Sequence, residues 1–238
     1  NLRHLGVLAR QRAVLAHVAY SAQVRGDLRA IAIEQLRHDL VDALVAPDVL
    51  ALQRAEAIAL ADDIADVAEG DLGLLVRLGP REVGFVHRSL HEHLAAEHLA
   101  HRFSLEERQT IVAERVADAR WREVLLGTLW VMENPRDRRG IVETVLSAIS
   151  DAPEGIAAAE LVAEMVFGPY ELPGDIARGI GTFIATRLGS HPLLSHRAAL
   201  MRHFVAGSES VVVGAIVTSL VTDWAVQVDP PSASLIRR

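Results

Sequence analysis

The stretch "DLGLLVRLGPREVGFVHRSLHEHLAA", residues 71–96, decides how the first part of the chain folds. Two short apolar runs, Leu72–Leu78 and Val83–Val86, flank a turn that contains Gly79 and Pro80. Short β-compatible runs around a Gly-Pro turn are typical of a hairpin. We therefore predict a two-stranded β-hairpin at about residues 72–86, in a chain that is otherwise helical.

A helix follows this hairpin, beginning near Arg88 or Ser89. Ser89 has Glu92 three residues later, the pattern of a capping box, so Ser89 is the predicted N-cap. Upstream, apolar residues at helical spacing predict three helices, Leu5–Tyr20, Leu28–Val45 and Val49–Ala68, with breaks at Gly26 and at Pro47 and Asp48. Three helices, a hairpin and a closing helix indicate a winged-helix-like module over residues 1–102.

Residues 103–238 keep the helical pattern. Ser104 and Glu107 form a second capping-box pattern, which opens a helix that reaches about Ala117. Further predicted helices are Trp121–Glu133, Arg138–Ser150, Ile156–Phe167, Pro173–Leu188, Pro192–Val205 and Ser210–Val226. Helices of this length with short turns are typical of stacked helix pairs, so we predict a HEAT-like α-solenoid.

The composition excludes several kinds of chemistry. The 238 residues include no cysteine, and all 24 basic residues are arginine. Without cysteine the chain has no disulfide, no cysteine-ligated zinc site and no thiol nucleophile. Without lysine it has no Walker-A phosphate loop and no lysine Schiff base. We therefore expect no ATPase activity from this chain.

Charge and hydropathy restrict the partners. The net charge of −7 argues against non-specific binding of nucleic acid, which needs a basic face. The longest apolar run, Val211–Val221, is interrupted by Thr218 and Ser219 and is too short to cross a membrane. The absence of cysteine fits a cytoplasmic protein, and no signal peptide is visible, so we expect a cytoplasmic protein without a membrane partner. The start at Asn1 and the closing "DPPSASLIRR" indicate a fragment of a longer protein.

Five histidines fall between residues 87 and 101: His87, His91, His93, His98 and His101. On one helix, four of them share a stripe, but its ends lie about 21 Å apart along the axis, too far to converge on one ion. The segment "HEHLA" lacks the second histidine of a zinc protease, since Ala95 stands there. Metal binding and protease chemistry are therefore not expected. Most of these histidines are interpreted as a half-buried polar seam, with Leu90 and Leu94 as core anchors.

The segment "FVHRSLHEHLAA", residues 85–96, resembles the motif that closes the winged helix of NACHT-type NTPases, which belong to the STAND class of signalling ATPases. The residues that fit the family pattern are Phe85, His87, Ser89, Leu90, Glu92, Leu94, Ala95 and Ala96. His91 stands where glutamine is usual, and His93 where an aromatic residue is usual, which should weaken packing in the core of the module. The preceding "GDLGLLVRLGPREV" resembles the wing, and "DARWREVLLGTLW", residues 118–130, resembles the helix that opens the repeats in bacterial members.

The resemblance implies a switch. In the family, the histidine at the position of His87 contacts the β-phosphate of ADP and holds the winged helix against the nucleotide-binding domain in the resting state. It implies ADP or ATP with Mg²⁺ in the parent protein, an upstream NTPase domain of the same chain as partner, and helical repeats that sense a protein or another trigger. An oligomer formed on activation is left open. No cofactor is expected for the fragment alone.

Two other functions stay open. The chain could be a helical-repeat interaction scaffold without a nucleotide role, although a pure solenoid has no reason to carry a β wing. It could also be a winged-helix DNA-binding regulator, which the acidic balance and the expected exposure of Glu92 and Glu97 on the closing helix disfavour. If the chain is part of a NACHT-type switch, the expected output is antiphage defence or signal transduction.

Overall fold

The structure, a computed structural model, describes residues 2–151 except Asp48 and Asp71, and beyond them Leu161, Glu164 and Met165. Three predicted helices, Pro173–Leu188, Pro192–Val205 and Ser210–Val226, lie outside the described residues, as does most of Ile156–Phe167. The described part is mainly helical with one small antiparallel sheet, which confirms the predicted mainly-α class. None of its helices is both long enough and apolar enough to cross a bilayer.

The described elements are α1 (Leu2–Arg25), β1 (Ile31–Ala32), α2 (Ile33–Val45), α3 (Arg54–Glu69), β2 (Leu75–Gly79), β3 (Glu82–Phe85), α4 (Arg88–Arg102), α5 (Leu105–Arg115), a 3₁₀ turn (Ala119–Trp121), α6 (Arg122–Val131) and α7 (Pro135–Asp151). The first helix ends where the sequence predicts a break, because Gly26 adopts a left-handed φ of 88°. The N–H groups of Gly26 and Asp27 both donate to the carbonyl of Ala22, at 2.9 Å, and so close the helix end.

The predicted hairpin is present, but it belongs to a three-stranded sheet. The strand order is β1-β3-β2, all antiparallel, with a bulge in β2 between Arg77 and Gly79. The prediction of only two strands is wrong, because Ile31 pairs with Val83 and Ala32 with Glu82. The same pairing corrects the predicted helix from Leu28, since α2 begins only at Ile33. A two-residue strand is too short to leave a periodicity in the sequence.

The start of α3 also differs from the prediction. The helix begins at Arg54, five residues after the predicted Val49. In between, the N–H groups of Val49, Leu50 and Ala51 all donate to the carbonyl of Ala46, so the chain wraps around the end of α2. Ala51 takes a left-handed φ of 52° to do this, an uncommon conformation for a residue with a Cβ. Satisfying the last carbonyls of α2 therefore overrides the local preference for an earlier helix.

The predicted starts of two helices after residue 102, α5 and α7, have opposite outcomes. At α5 the predicted capping box is confirmed: the N–H of Glu107 donates to Ser104 Oγ at 3.3 Å, and the N–H of Ser104 donates to Glu107 Oε2 at 2.8 Å. At α7 the predicted start, Arg138, is wrong. The helix begins at Pro135, where proline is tolerated, and Asn134 Oδ1 accepts from the N–H of Arg136 at 3.0 Å.

The described residues form two compact units, of which the first takes in the chain up to Arg108 together with Glu123–Met132. In this first unit α1 and α4 pack along each other. Small residues allow α6 to approach α4 closely, since a Cβ added at Gly127 of α6 would lie 2.9 Å from the Cβ of Ala96 of α4. The core consists of fully buried residues from the helices and from one face of the sheet, including Leu15, Val18, Leu99, Ile31, Leu75 and Val83.

The second unit takes in Gln109–Arg122 and the chain from Glu133. Trp121 is the largest buried side chain among the described residues of this unit, and the guanidinium of Arg115 lies 5.4 Å from the centre of the indole ring. Ile141, Val142 and Val145 of α7 are fully buried. The predicted boundary between residues 102 and 103 and the repeat character of residues 103–238 stay predictions.

Candidate functional site

His87, the predicted site residue, lies at the point where the sheet leads into α4. Phe85 ends β3, the N–H of Val86 still donates to the carbonyl of Leu74 at 3.0 Å, and α4 begins at Arg88. His87 is itself the N-cap residue, in extended conformation with φ −135° and ψ 139°. Its carbonyl accepts from the N–H groups of Leu90 and His91 at 3.1 and 3.3 Å, which closes the first turn.

This arrangement corrects the predicted capping box at Ser89. The N-cap lies two residues earlier, and among the residues that the structure describes no side chain caps the first N–H groups of α4. Glu92, which was to complete the box, accepts instead from Arg88 Nε at 2.7 Å, one turn away on the same helix. Glu92 is also buried, which contradicts its expected exposure. An ion pair with Arg88 explains both differences, because a buried carboxylate needs a charged partner.

The N-terminal end of α4, residues 87–89, is exposed and has no side-chain cap among the described residues, and we call it the open end of α4. His87, Arg88 and Ser89 are all exposed, and within the described part of the chain the imidazole of His87 has no hydrogen-bond partner. The uncapped N–H groups carry the positive end of the helix dipole. An exposed imidazole beside uncapped N–H groups is suited to hold an anion such as phosphate.

His91 has a different surrounding from His87, although it follows one turn later. Its side chain is 1% exposed, and Nε2 lies 2.9 Å from the carbonyl oxygen of Ala19 in α1. Its ring stacks on the ring of Phe85, with centroids 5.1 Å apart and planes 5° apart. Burial lowers the pKa of His91, and the hydrogen bond to Ala19 opposes that shift only in part. His91 is therefore a neutral, fully packed side chain near pH 7.

His93 does not lie in the core. Its side chain is 43% exposed, and Nε2 lies 3.0 Å from Glu97 Oε1. Arg12 of α1 also binds Glu97, with Nε donating to Oε2 at 2.8 Å. The expectation that a histidine at 93 weakens core packing is therefore wrong, since position 93 belongs to a polar network between α1 and α4.

His98 and His101 complete the group. His98 is buried, and its ring centre lies 4.9 Å from the ring centres of His17 and Tyr20 in α1 and 5.6 Å from that of Phe103. His101 is exposed. The five histidines thus face different surroundings instead of forming one seam.

Among the described residues, no three histidine, aspartate or glutamate side chains come together closely enough to hold a metal ion. Of the predicted anchors, Leu94 is buried and Leu90 is half-buried.

Two polar contacts in the first unit, each with a buried side chain, are not predicted by the sequence. Arg25 at the end of α1 donates two hydrogen bonds to Asp39 of α2, and Asp39 is 4% exposed. Arg108, also buried, donates to the carbonyl of Ala100 at 3.0 Å, near the end of α4. The signal for the first contact is a charged residue between Leu36 and Leu40 on the apolar side of α2. Neither contact reaches the open end of α4.

Comparison of the chain with known protein families, with curated proteins and with solved structures found no match.

Proposed function

We propose that this chain is the regulatory part of a NACHT-type signalling NTPase, in which His87 contacts the β-phosphate of ADP in the resting state. The observation that carries the proposal is the open end of α4. There, within the described part of the chain, an exposed imidazole without a partner stands beside helix N–H groups that no side chain caps. A phosphate would supply the missing acceptor for both. The resemblance of residues 85–96 names the same histidine.

The topology supports a winged helix. One helix, a short strand, two helices and a hairpin follow each other, and the last strand of the hairpin pairs with the first strand of the sheet. The hairpin β2–β3 is the proposed wing. Val86, adjacent to His87, is 38% exposed, and Leu78 of the wing is 53% exposed. The exposed side chain of Val86 beside His87 fits a seam against the nucleotide-binding domain, whereas Leu78 lies at the turn end of the hairpin, away from His87.

The main departure from the family pattern is compatible with the structure. At position 91 the family usually has glutamine, and His91 directs Nε2 to the carbonyl of Ala19 at 2.9 Å. The side-chain amide of a glutamine also carries its donor nitrogen at the end of the side chain, so it can make the same contact. The histidine therefore replaces the function of the glutamine in the packing of α4 against α1.

The third function considered, a DNA-binding regulator, is disfavoured by α3. In a winged helix the helix before the wing is the one that could enter a groove, and here its exposed positions include Glu56, Asp62, Asp63 and Asp66. Carboxylates repel the phosphate backbone that DNA-binding proteins must approach. In the proposed function α3 therefore contacts protein, and residues 103–238 form the HEAT-like repeats that sense the trigger.

The experiment that tests the proposal examines the longer protein that it implies. After purification without added nucleotide and denaturation, the extract is analysed for adenine nucleotides. A NACHT-type switch in its resting state retains ADP at close to one molecule per chain. A protein that releases no nucleotide, and binds none when ADP and Mg²⁺ are added, would favour the interaction scaffold instead.

A further inference from the structure

His91 joins three elements of the first unit at one point. Its own helix is α4, its Nε2 lies 2.9 Å from the carbonyl of Ala19 in α1, and its ring lies flat against Phe85 at the end of β3. The side chain is 1% exposed. A titratable group in this position can pass on its protonation state to the sheet and to both helices.

We propose that His91 is a pH-sensitive latch: its neutral ring holds the end of β3 and the start of α4 against α1, and protonation releases them. This proposal does not depend on the proposed nucleotide function. It depends only on the packing of one imidazole.

The neutral ring suits this site in a way that the charged ring does not. Since Nε2 faces a carbonyl oxygen, it is the nitrogen that carries the proton in the neutral form, and a second proton would go to Nδ1. The ring would then hold a full charge away from water, which burial strongly disfavours. The lowered pKa of His91 has this burial as its largest cause.

The charges around His91 do not offset the cost of burying its protonated ring. Toward the ring, α1 presents the carbonyl of Ala19 and β3 presents the apolar ring of Phe85. The charged groups that act on it, Glu92 and Arg88, both belong to α4 and act in opposite directions. They are also bonded to each other. Stacking on Phe85 can stabilise an imidazolium, but a cation–π contact is a small effect beside the loss of water around a charge.

Release at His91 would reach the open end of α4. The N–H of His91 donates to the carbonyl of His87, so the two residues share the first turn of the helix. Phe85 precedes His87 by two residues on the other side. An opening of this contact would therefore loosen the segment that carries His87.

Amide hydrogen exchange of the full chain tests the latch, with protection factors corrected for the intrinsic effect of pH. One proton taken up with a reference pKa of about 6.5 predicts that protection in β3 and in the first turns of α4 falls between about pH 7.5 and 5.5, by at most about tenfold. His91→Gln keeps a donor for Ala19 but cannot be protonated, so it should abolish this fall. The exposed His101→Gln, on the same helix, should leave it unchanged. Wild-type protection that does not change with pH, or an equal fall in His91→Gln, would overturn the proposal.

A second measurement covers the case in which His91→Gln does not fold. The ring of His91 in the wild-type chain is followed by NMR through a pH titration. The latch predicts that the ring takes up its proton below the reference value of about 6.5, and that β3 loses protection as the pH falls from that value toward the pH at which the ring titrates. Titration at or above that value, with β3 still protected, would show that the site accepts the charged ring and would refute the latch.

Discussion

Arg25 binds Asp39 through two parallel hydrogen bonds, from Nη1 to Oδ1 at 2.9 Å and from Nη2 to Oδ2 at 2.6 Å. The pair joins the end of α1 to α2. Gln35 adds a third donor to Asp39 at 3.0 Å, and Asp27 accepts from Arg25 Nε at 2.8 Å. The side chain of Asp39 is 5% exposed and that of Arg25 is 31% exposed, so water screens the charge of Arg25 in part and that of Asp39 very little. This contact fixes the first two helices of the unit.

We predict that Asp39→Ala lowers the free energy of unfolding by about 2–4 kcal/mol, because it leaves Arg25 without its main partner and removes a buried pair. Urea denaturation followed by circular dichroism measures the change. The control is Asp62→Ala, since Asp62 is 60% exposed where it pairs with Arg37, and such pairs contribute about 1 kcal/mol or less. Equal effects of the two substitutions would contradict the structural role of Asp39.

Gly84 of β3 is predicted to tolerate no side chain. A Cβ at this position would lie 2.6 Å from the carbonyl oxygen of Arg29 and 2.8 Å from Leu78 Cδ1. The main-chain oxygen cannot turn away as a side chain could, so Gly84→Ala should cost about 1–3 kcal/mol of stability. At Gly79 the nearest atom would be Glu82 Oε2 at 3.9 Å, so Gly79→Ala serves as control and should unfold close to the wild-type midpoint.

Two serines with the same sequence pattern are predicted to behave differently. Ser104→Ala removes the side-chain oxygen that caps α5 and should cost about 1 kcal/mol. Ser89→Ala removes no cap, since His87 holds that position in α4, and should change the thermal midpoint very little. A loss at Ser89 as large as that at Ser104 would mean that Ser89 caps α4 after all.

These serines show how far the sequence alone leads. The pattern of serine followed three residues later by glutamate is the same at both sites, and only the structure separates them. At 104 the glutamate returns to the backbone. At position 89 Glu92 binds Arg88 instead, because a charged partner stabilises a buried carboxylate more than a backbone N–H does.

The hairpin and the missed strand show a second limit. Gly79 and Pro80 encode a turn locally, so the hairpin could be predicted. The pairing of Ile31 with Val83 joins residues far apart in the chain and leaves no local pattern. The burial of His91 and the exposure of His93 have the same origin, since which side of α4 meets α1 is fixed by packing of distant residues. The resemblance of residues 85–96 could therefore indicate His87 as a candidate site residue, but the sequence could not show that the residue is exposed.

Stability should also depend on pH through His91. Burial lowers its folded pKa below the unfolded value of about 6.5, so stability is full above that value and is lost as the pH falls below it, until the folded form is protonated too. The loss is at most about 1.4 kcal/mol per pH unit for one group. Urea unfolding at several pH values measures the slope. With eleven histidines in the chain, the difference between wild type and His91→Gln isolates the share of His91, and identical slopes would contradict it.

The rate of ADP release from the longer protein tests most directly whether His87 contacts the phosphate of ADP. A hydrogen bond to a charged group contributes roughly 1.5–3 kcal/mol, so His87→Ala should speed the release of a fluorescent ADP analogue by about 10- to 150-fold. Because His87 is exposed and without a partner among the described residues, the thermal midpoint should hardly change. His101→Ala, also exposed and on the same helix, should release ADP at the wild-type rate. Equal release from wild type and His87→Ala would contradict the account and remove His87 from the nucleotide site.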